Sequence, residues 1–247
     1  MPLTILTPTY NRANRLNKLY ESLLSQTVGE FKWLIVDDGS TDNTADLIKT
    51  FLDDERLEIK YLYKINGGKH TAINEGIRYV QTPLTFIVDS DDYLTENAVE
   101  IILNIWEKYQ YRDEIGSFWF LQSDSTGRII GDMFPEEEFV STYLDVMINS
   151  TVKGDKKAVY RTELLRKYPF PVFDGETFLG EGIIHKRIGD CYKSVFINKV
   201  IYKGDYLEGG LSDSGRELRI KNPLGGMANS KEFVGRDVNL RIRIKKI

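Results

Sequence analysis

Four short apolar runs in the first hundred residues, alternating with helix-period segments and each ending in a polar cluster, limit what this chain can fold into more than any other feature. Leu3 to Leu6 is a compact strand candidate that stops at Thr7-Pro8, and Leu16, Leu19, Leu23 and Leu24 then recur along one helix face. Phe31 to Val36 reads as a buried strand ending at Asp37-Asp38-Gly39, and Ala45 to Leu52 as a helix that Thr41 or Asn43 would cap. Leu57 to Tyr63 is a third strand, Gly67-Gly68 a turn, Thr71 to Val80 a helix, and Leu84 to Val88 a fourth strand running into Asp89. This rhythm implies right-handed crossovers and a mainly parallel, Rossmann-like α/β sheet covered by helices on both faces. Ligands of such sheets bind beyond the carboxyl ends of the strands, where the polar clusters fall here.

Beyond residue 110 the pattern loosens. Gly116 to Gln122, Ala158 to Arg161 and Val195 to Tyr202 are strand candidates, while Phe170 to Ile188 mixes glycine, aromatics and acids as an acceptor-site wall would. The organisation expected is a donor-binding half over 1–110, an irregular acceptor-binding and catalytic half of the same domain over 111–215, and an extension over 216–247. Residues Arg236 to Lys246 alternate basic and aliphatic side chains, either as an edge strand or as a basic surface segment suited to peripheral contact with an anionic membrane.

Composition narrows the chemistry. A net charge of −4 argues against broad capture of nucleic acid. One cysteine, Cys191, and two histidines, His70 and His185, leave no thiolate or imidazole cluster, so a metal here should be a hard cation on carboxylates, Mg²⁺ or Mn²⁺. The N-terminal residues lack the pattern of a secretory signal and no apolar stretch is long enough to span a membrane, so the expected setting is cytoplasmic.

The strongest local signal is Asp89-Ser90-Asp91-Asp92 after Phe86-Ile87-Val88. Strand alternation would put Asp89 and Asp91 on one side, where two carboxylates can hold a divalent cation and leave room for diphosphate oxygens. Capping of the helix near Asn97 by Asp92 or Thr95 is the plainer reading, but three crowded acids need a cation to offset their repulsion. A carboxylate in the second cluster, Asp37-Asp38, can accept a hydrogen bond from a base imide or a ribose hydroxyl, or can simply close an Asp-Gly turn. Paired acids at strand ends also occur in receiver domains, which are shorter chains. Gly67-Gly68-Lys69-His70-Thr71 is a near miss for a P-loop: the glycine spacing is wrong and His follows the Lys. Lys69 is either a phosphate ligand or a solvated lysine, and Asn74 either faces the donor or ties loop to helix. No G-x-G-x-x-G follows a strand, which discounts a dehydrogenase.

Taken in order, Thr7-Pro8-Thr9-Tyr10-Asn11-Arg12, Val36-Asp37-Asp38-Gly39-Ser40-Thr41-Asp42, Asn66-Gly67-Gly68 with Ala72 and Asn74, and Val88-Asp89-Ser90-Asp91-Asp92 resemble the family 2 glycosyltransferases. The resemblance covers about the first hundred residues and implies the GT-A fold, a nucleotide-sugar donor of the UDP type, inversion at the anomeric carbon and a Mn²⁺ or Mg²⁺ cofactor. It implies that Pro8, Tyr10 and Asp38 contact uridine and that the Asp89–Asp92 run holds the metal-diphosphate, Asp91 first among the ligands with Asp89 and Asp92 behind it. Thr9, Asp37, Lys69, Asn74, Asp89 and Ser90 complete the donor-binding set. The family also supplies a base from an acidic pair in the second half, often Glu-Asp. The best match is Glu181, with Asp174 and Glu176 as rivals, although Gly182 stands where the second acid would be. His185, one turn on, either orients Glu181, binds acceptor or is a packed surface residue. Trp119, Tyr202 and Tyr206 stack on sugar or belong to the core, and Tyr206 to Ser212, Arg216 and Asn222-Pro223 more loosely resemble C-terminal elements of polysaccharide-making members. The acceptor implied is a glycan or a lipid-linked glycan. A sugar-phosphate nucleotidyltransferase and a catalytically silent nucleotide-sugar-binding homologue are the competing functions.

Overall fold

The computed structural model describes residues 1–204 and 215–232. Strands β1 (Leu3–Thr9), β2 (Phe31–Asp37), β3 (Ile59–Tyr63) and β4 (Leu84–Ile87) pair in parallel in the order β3-β2-β1-β4. They are linked by helices α1 (Leu16–Leu24), α2 (Thr44–Asp54) and α3 (Lys69–Tyr79). The sheet continues through β5 (Tyr93–Leu94), β6 (Ile115–Ser123), β7 (Glu138–Ser141), β8 (Lys156–Arg161) and β9 (Lys193–Lys203), nine strands among the described residues. Strand β8 joins the two halves, antiparallel to β4 on one side and to β6 on the other, while β6 and β9 run parallel. Helices α4 (Ala98–Tyr109), α5 (Thr162–Lys167), α6 (Gly182–Cys191), α7 (Gly215–Lys221) and α8 (Pro223–Lys231) complete the described elements, with a π-helical turn over Leu144–Asn149.

Side-chain alternation along buried strands divides the core in two. Leu3, Ile5, Trp33 and Ile35 face the layer made by α1, α2 and α4, where Leu16, Leu19, Tyr20 and Leu23 form the buried stripe of α1. Leu6, Leu34 and Val36 face the other layer, with Ala72, Ile73 and Ile77 of α3 and Ile183, Ile184 and Ile188 of α6. Gly76 lets α3 lie close to the sheet, since a methyl there would press on Leu6 and Val36. Trp119 and Tyr202, considered above for sugar stacking, are buried core residues. Tyr206 to Ser212 and Arg236 to Lys246 lie outside the described residues, as does the side chain of Arg216.

Helix starts differ from expectation in informative ways. Neither Thr41 nor Asn43 caps α2; the Asp42 carboxylate accepts the Thr44 amide at 3.0 Å instead. Helix α4 is capped by neither Asp92 nor Thr95: Gln26, just past α1, accepts the Val99 amide at 3.0 Å. Helix α3 begins at Lys69, two residues before Thr71, and so places that lysine at a helix start on the rim of the sheet.

Candidate active site

The carboxyl ends of β1, β2 and β4 form one rim, as the crossover topology requires. At the first of these ends the backbone turns sharply at Asn11, which sits at φ 51°. Its side-chain oxygen accepts the Thr41 amide at 2.8 Å, and its own amide donates to Ser40 Oγ at 2.9 Å. The two loops are thereby stitched together. Pro8 and Thr9 are buried beneath them, Tyr10 stands 45% exposed above, and the Thr9 hydroxyl is buried without a hydrogen-bond partner.

Both acids at the end of β2 are committed within the protein. Asp37 accepts the Ser40 amide at 2.7 Å and the Tyr61 hydroxyl at 2.9 Å. Asp38 accepts the Gly67 and Gly68 amides at 3.0 and 2.7 Å and the Lys64 ammonium at 2.6 Å. The Gly67-Gly68 turn is therefore pinned to the end of β2. Gly68 adopts φ 92°, and a side chain there would overlap the carbonyl oxygen of Thr177, so this turn also touches the loop before α6. Asn74 donates to the Phe170 carbonyl at 2.8 Å and accepts the Phe170 amide at 2.9 Å, which makes it a tie between α3 and the loop after α5.

The acidic run lies in a turn beyond β4 and not in the strand, with the Asp92 amide donating to the Asp89 carbonyl at 3.2 Å. Strand alternation therefore does not pair Asp89 with Asp91. Asp89 and Asp92 share Lys157 Nζ at 3.5 and 4.0 Å, while Asp91 faces Arg12 Nε at 3.7 Å. Tyr202 fixes the turn from beneath: its hydroxyl donates to Asp92 Oδ2 at 2.7 Å and accepts the Asp89 amide at 3.1 Å. The acids also have cationic side chains beside them, those of Arg12, Lys69 and Lys157. Ser90 is buried within the turn.

Lys69 joins the halves of the site. Its ammonium forms an ion pair with Asp89 and a second, at 2.5 Å, with Glu181 Oε1. Glu181 directly precedes α6 but makes no capping hydrogen bond, so its side chain serves the cleft and not the helix end. Of its rivals, Glu176 is spent on the start of α8, accepting the Leu224 and Gly225 amides at 2.6 and 2.7 Å, and Asp174 is exposed. His185 is half-buried and packed: its ring lies against Trp119, Tyr143 and Tyr160, and its Nδ1 is hydrogen-bonded to the Tyr160 hydroxyl.

Charges set the protonation states. Burial pushes Asp89 upward, but Lys69 and then Lys157 overcome it and hold the carboxyl well below the usual range. Glu181 is likewise raised by burial and brought down, on balance, by Lys69. Lys69, opposed by burial, is held charged by Asp89 and Glu181. Burial, and next the Asp89 charge, lift Asp92 to about 6. Burial drops His185 to about 4, so it is neutral at pH 7.

Among the described residues no three His, Cys, Asp or Glu side chains converge as a closed metal cage. The donor set still suits a hard cation that arrives with a diphosphate, because such ions use one or two carboxylates and complete their shell with phosphate oxygens and water. Asp91 is partly exposed and, among the described residues, has one long ion pair. Lys157 and Lys64 are residues that sequence reasoning did not single out, and Arg12 entered only as part of the first motif. Only the pairing of distant strands shows that Lys157 reaches this rim.

A family model for "Glycosyl transferase family 2" matches residues 4–169. The glycosyltransferase GlyA of Streptococcus pneumoniae is 26% identical over 223 residues, covering 85% of this chain and 31% of its own length. The chain spans about a fifth to a third of the length of the first curated relatives it matches. Among solved structures, S. aureus TarS in complex with UDP-GlcNAc superposes with a TM-score of 0.75 at 22% identity, covering 100% of this chain and 69% of that one. The mannosyltransferase PcManGT of Pyrobaculum calidifontis, solved with GDP-Man and Mn²⁺, gives a TM-score of 0.66 at 16% identity, covering 99% of this chain and 68% of that one. These likenesses are of fold, and the fold is GT-A.

Proposed function

This chain belongs to glycosyl transferase family 2, and from that premise we propose that it transfers a sugar from a nucleotide-sugar donor, of the UDP class, to an acceptor hydroxyl with inversion at the anomeric carbon. The observation that carries the reading is the meeting, at Lys69, of the donor-side carboxylate Asp89 with the acceptor-side carboxylate Glu181. A transferase needs a charge-stabilised leaving group and a base for the attacking hydroxyl within one cleft. Two distant segments converge to supply them.

In this scheme the rim formed by Pro8, Thr9, Tyr10 and the Asp37-Asp38 loop receives the nucleoside. Asp38 shapes that rim by holding the Gly67-Gly68 turn, and Thr9 lies buried beneath it. Asp89 faces the donor, Ser90 supports the turn from within, and Asp91, with Asp89 and Asp92 behind it, would hold Mn²⁺ or Mg²⁺. Such an ion, when bound, neutralises charge growing on the diphosphate. Lys69, Lys157 and Arg12 add positive charge beside the same group. Glu181 takes the proton from the acceptor oxygen as that oxygen bonds to the anomeric carbon, and the bond from that carbon to the diphosphate oxygen breaks with its electron pair on the leaving group. The neutral His185 behind Glu181 leaves the carboxylate as the basic group there. TarS bound to UDP-GlcNAc and PcManGT bound to GDP-Man with Mn²⁺ support the donor and metal assignments by analogy of fold. We assign the activity to cell-surface polysaccharide assembly, with a glycan or lipid-linked acceptor at the cytoplasmic face of a membrane.

The test is calorimetric titration of UDP, GDP and UDP-sugars with Mn²⁺ and again with EDTA, followed by UDP release in the presence of glycan acceptors. Metal-dependent UDP binding is expected, lost in Asp91→Asn with the melting temperature unchanged. Glu181→Gln should keep donor binding and lose transfer. Undiminished UDP affinity of Asp91→Asn in Mn²⁺ would remove the metal role. Pyrophosphate release from a nucleoside triphosphate would indicate a nucleotidyltransferase, and donor binding without transfer to any acceptor a silent homologue.

A further inference from the structure

We propose that Lys69 is a counterion exchanged between the base and the donor: without donor it restrains Glu181, and on donor binding it passes to the diphosphate and frees the Glu181 carboxylate for the acceptor. The inference rests on the nucleotide-sugar reading above and deepens it.

The placement of Lys69 is fixed from both sides. It is the first residue of α3, directly after a turn that Asp38 holds through two backbone amides and that packs against Thr177. An ammonium has three donors and no acceptor, so it can serve two carboxylates at once and cannot serve them equally when a more highly charged group arrives. The two carboxylates differ in what they lose. Asp89 has a second cation in Lys157, a hydrogen bond from its own amide to Tyr202, and a side chain 28% exposed. Glu181 has Lys69 as its single ion-pair partner among the described residues and a side chain 36% exposed. Water therefore takes over from Lys69 more readily at Glu181, because a partly exposed ion pair is worth little once solvent can replace it. A diphosphate beside Asp89 draws Lys69 away from Glu181 and not from Asp89.

The exchange has a catalytic consequence. A carboxylate held 2.5 Å from an ammonium is a poor proton acceptor. As long as Lys69 is shared, the base is masked; once the diphosphate claims it, the base is unmasked in the complex that has donor to use. Donor binds first and acceptor deprotonation follows. Lys69 thus acts on the acceptor proton as a positioning residue, through Glu181.

The test needs no acceptor. UDP is titrated with Mn²⁺ present into the unaltered chain, Glu181→Gln, Lys69→Met and the double variant. Competition for Lys69 predicts that Glu181→Gln binds UDP more tightly, by about five-fold, the size of a strong partly exposed ion pair. Lys69→Met should weaken binding at least about ten-fold, as loss of a charge-assisted contact does. In the Lys69→Met background, adding Glu181→Gln should change nothing, and Lys69→Arg should restore both the affinity and the response to Glu181→Gln. Unchanged UDP affinity of Glu181→Gln with Lys69 in place would overturn the exchange. A tightening that persists in the double variant would overturn it too, since it would be through-space repulsion between Glu181 and the diphosphate. Failure of the unaltered chain to bind UDP at all would instead remove the donor reading on which the exchange rests.

Discussion

Replacing Asp38 with Asn separates a structural role from a ligand-binding one, and its cost follows from the bonds in place. The residue is 3% exposed, and both carboxylate oxygens are occupied: Oδ1 accepts the Gly67 amide at 3.0 Å and Lys64 Nζ at 2.6 Å, and Oδ2 accepts the Gly68 amide at 2.7 Å. An asparagine keeps one acceptor. Whichever way its amide is turned, the NH₂ group faces a backbone N–H that then has no acceptor, at a cost of about 1–3 kcal/mol for a buried donor. Lys64 keeps Ile65 O at 2.5 Å and Thr71 Oγ1 at 2.9 Å, so it is not orphaned. It does exchange a charged partner for a neutral one, or lose it, which adds roughly 1 kcal/mol. The sum is about 2–4 kcal/mol. At about 2–4 °C per kcal/mol for a chain of this size, the melting temperature should fall by roughly 10 °C. Thermal unfolding followed by circular dichroism, with no nucleotide present, measures it. If Asp38 served only to contact the nucleoside, the nucleotide-free protein would melt as the parent does and UDP affinity alone would drop. A shift smaller than about 2 °C would refute the clamp.

Two further outcomes follow from the acceptor half and the buried charges. Glu176→Gln removes one of the two oxygens capping α8 and the charge favoured at a helix N-terminus, and should cost about 1 kcal/mol. Hydrogen exchange should quicken at the Leu224 and Gly225 amides, and unchanged exchange there would mean the cap is idle. Acid stability is set by opposed groups. His185, depressed from 6.5 to about 4, stays neutral in the fold while the unfolded chain takes a proton, so it removes stability as pH falls from 6.5 to 4. Asp92, raised from 3.8 to about 6, binds its proton earlier in the fold and adds stability as pH falls through 6. Asp92→Asn deletes the compensating gain, so its urea midpoint should drop more between pH 7 and pH 4.5 than the parent's. A smaller drop would reverse the assignment.

The parallel half was legible because it obeys local rules. Buried strands read as apolar runs, and the helix face of Leu16, Leu19 and Leu23 could be counted from spacing alone. What failed were contacts made by residues remote in sequence. Gln26, not a nearby Asp or Thr, caps α4, and nothing local marks a glutamine beyond one helix as the acceptor for another. Lys156 and Lys157 look equivalent in the sequence, and strand alternation says only that they point oppositely. Lys156 turns to the backbone carbonyls of Lys153 and Gly154 at 2.9 and 3.3 Å, and Lys157 to the acids of the site. The crossing of β8 between β4 and β6 decides which is which. Glu181 was named by resemblance, whereas its bond to Lys69 could not be read from the sequence, because it joins segments that meet where Thr177 lies against Gly68. The missing second acid has no steric cause: a Cβ at Gly182 would meet only Asn229 Oδ1 at 3.7 Å and Lys186 Cε at 3.9 Å.

On the proposed reading, the charges of the cleft favour a metal that arrives with the donor over one held by the protein alone. The acids Asp89, Asp91, Asp92 and Glu181 are four, and Arg12, Lys69 and Lys157 beside them are three. With Asp92 titrating at about 6, the cluster carries close to one net negative charge at pH 7. A cluster so nearly balanced has little need of a divalent ion, and the crowding that first suggested one is met by lysine and arginine. A nucleotide-sugar diphosphate adds roughly two negative charges in the same place, which the three cations cannot match without deserting the acids. A divalent cation arriving with the diphosphate restores the balance and lets Arg12 and Lys157 remain where they are. Lys69, shared between two carboxylates, is then the cation that the geometry leaves free to move.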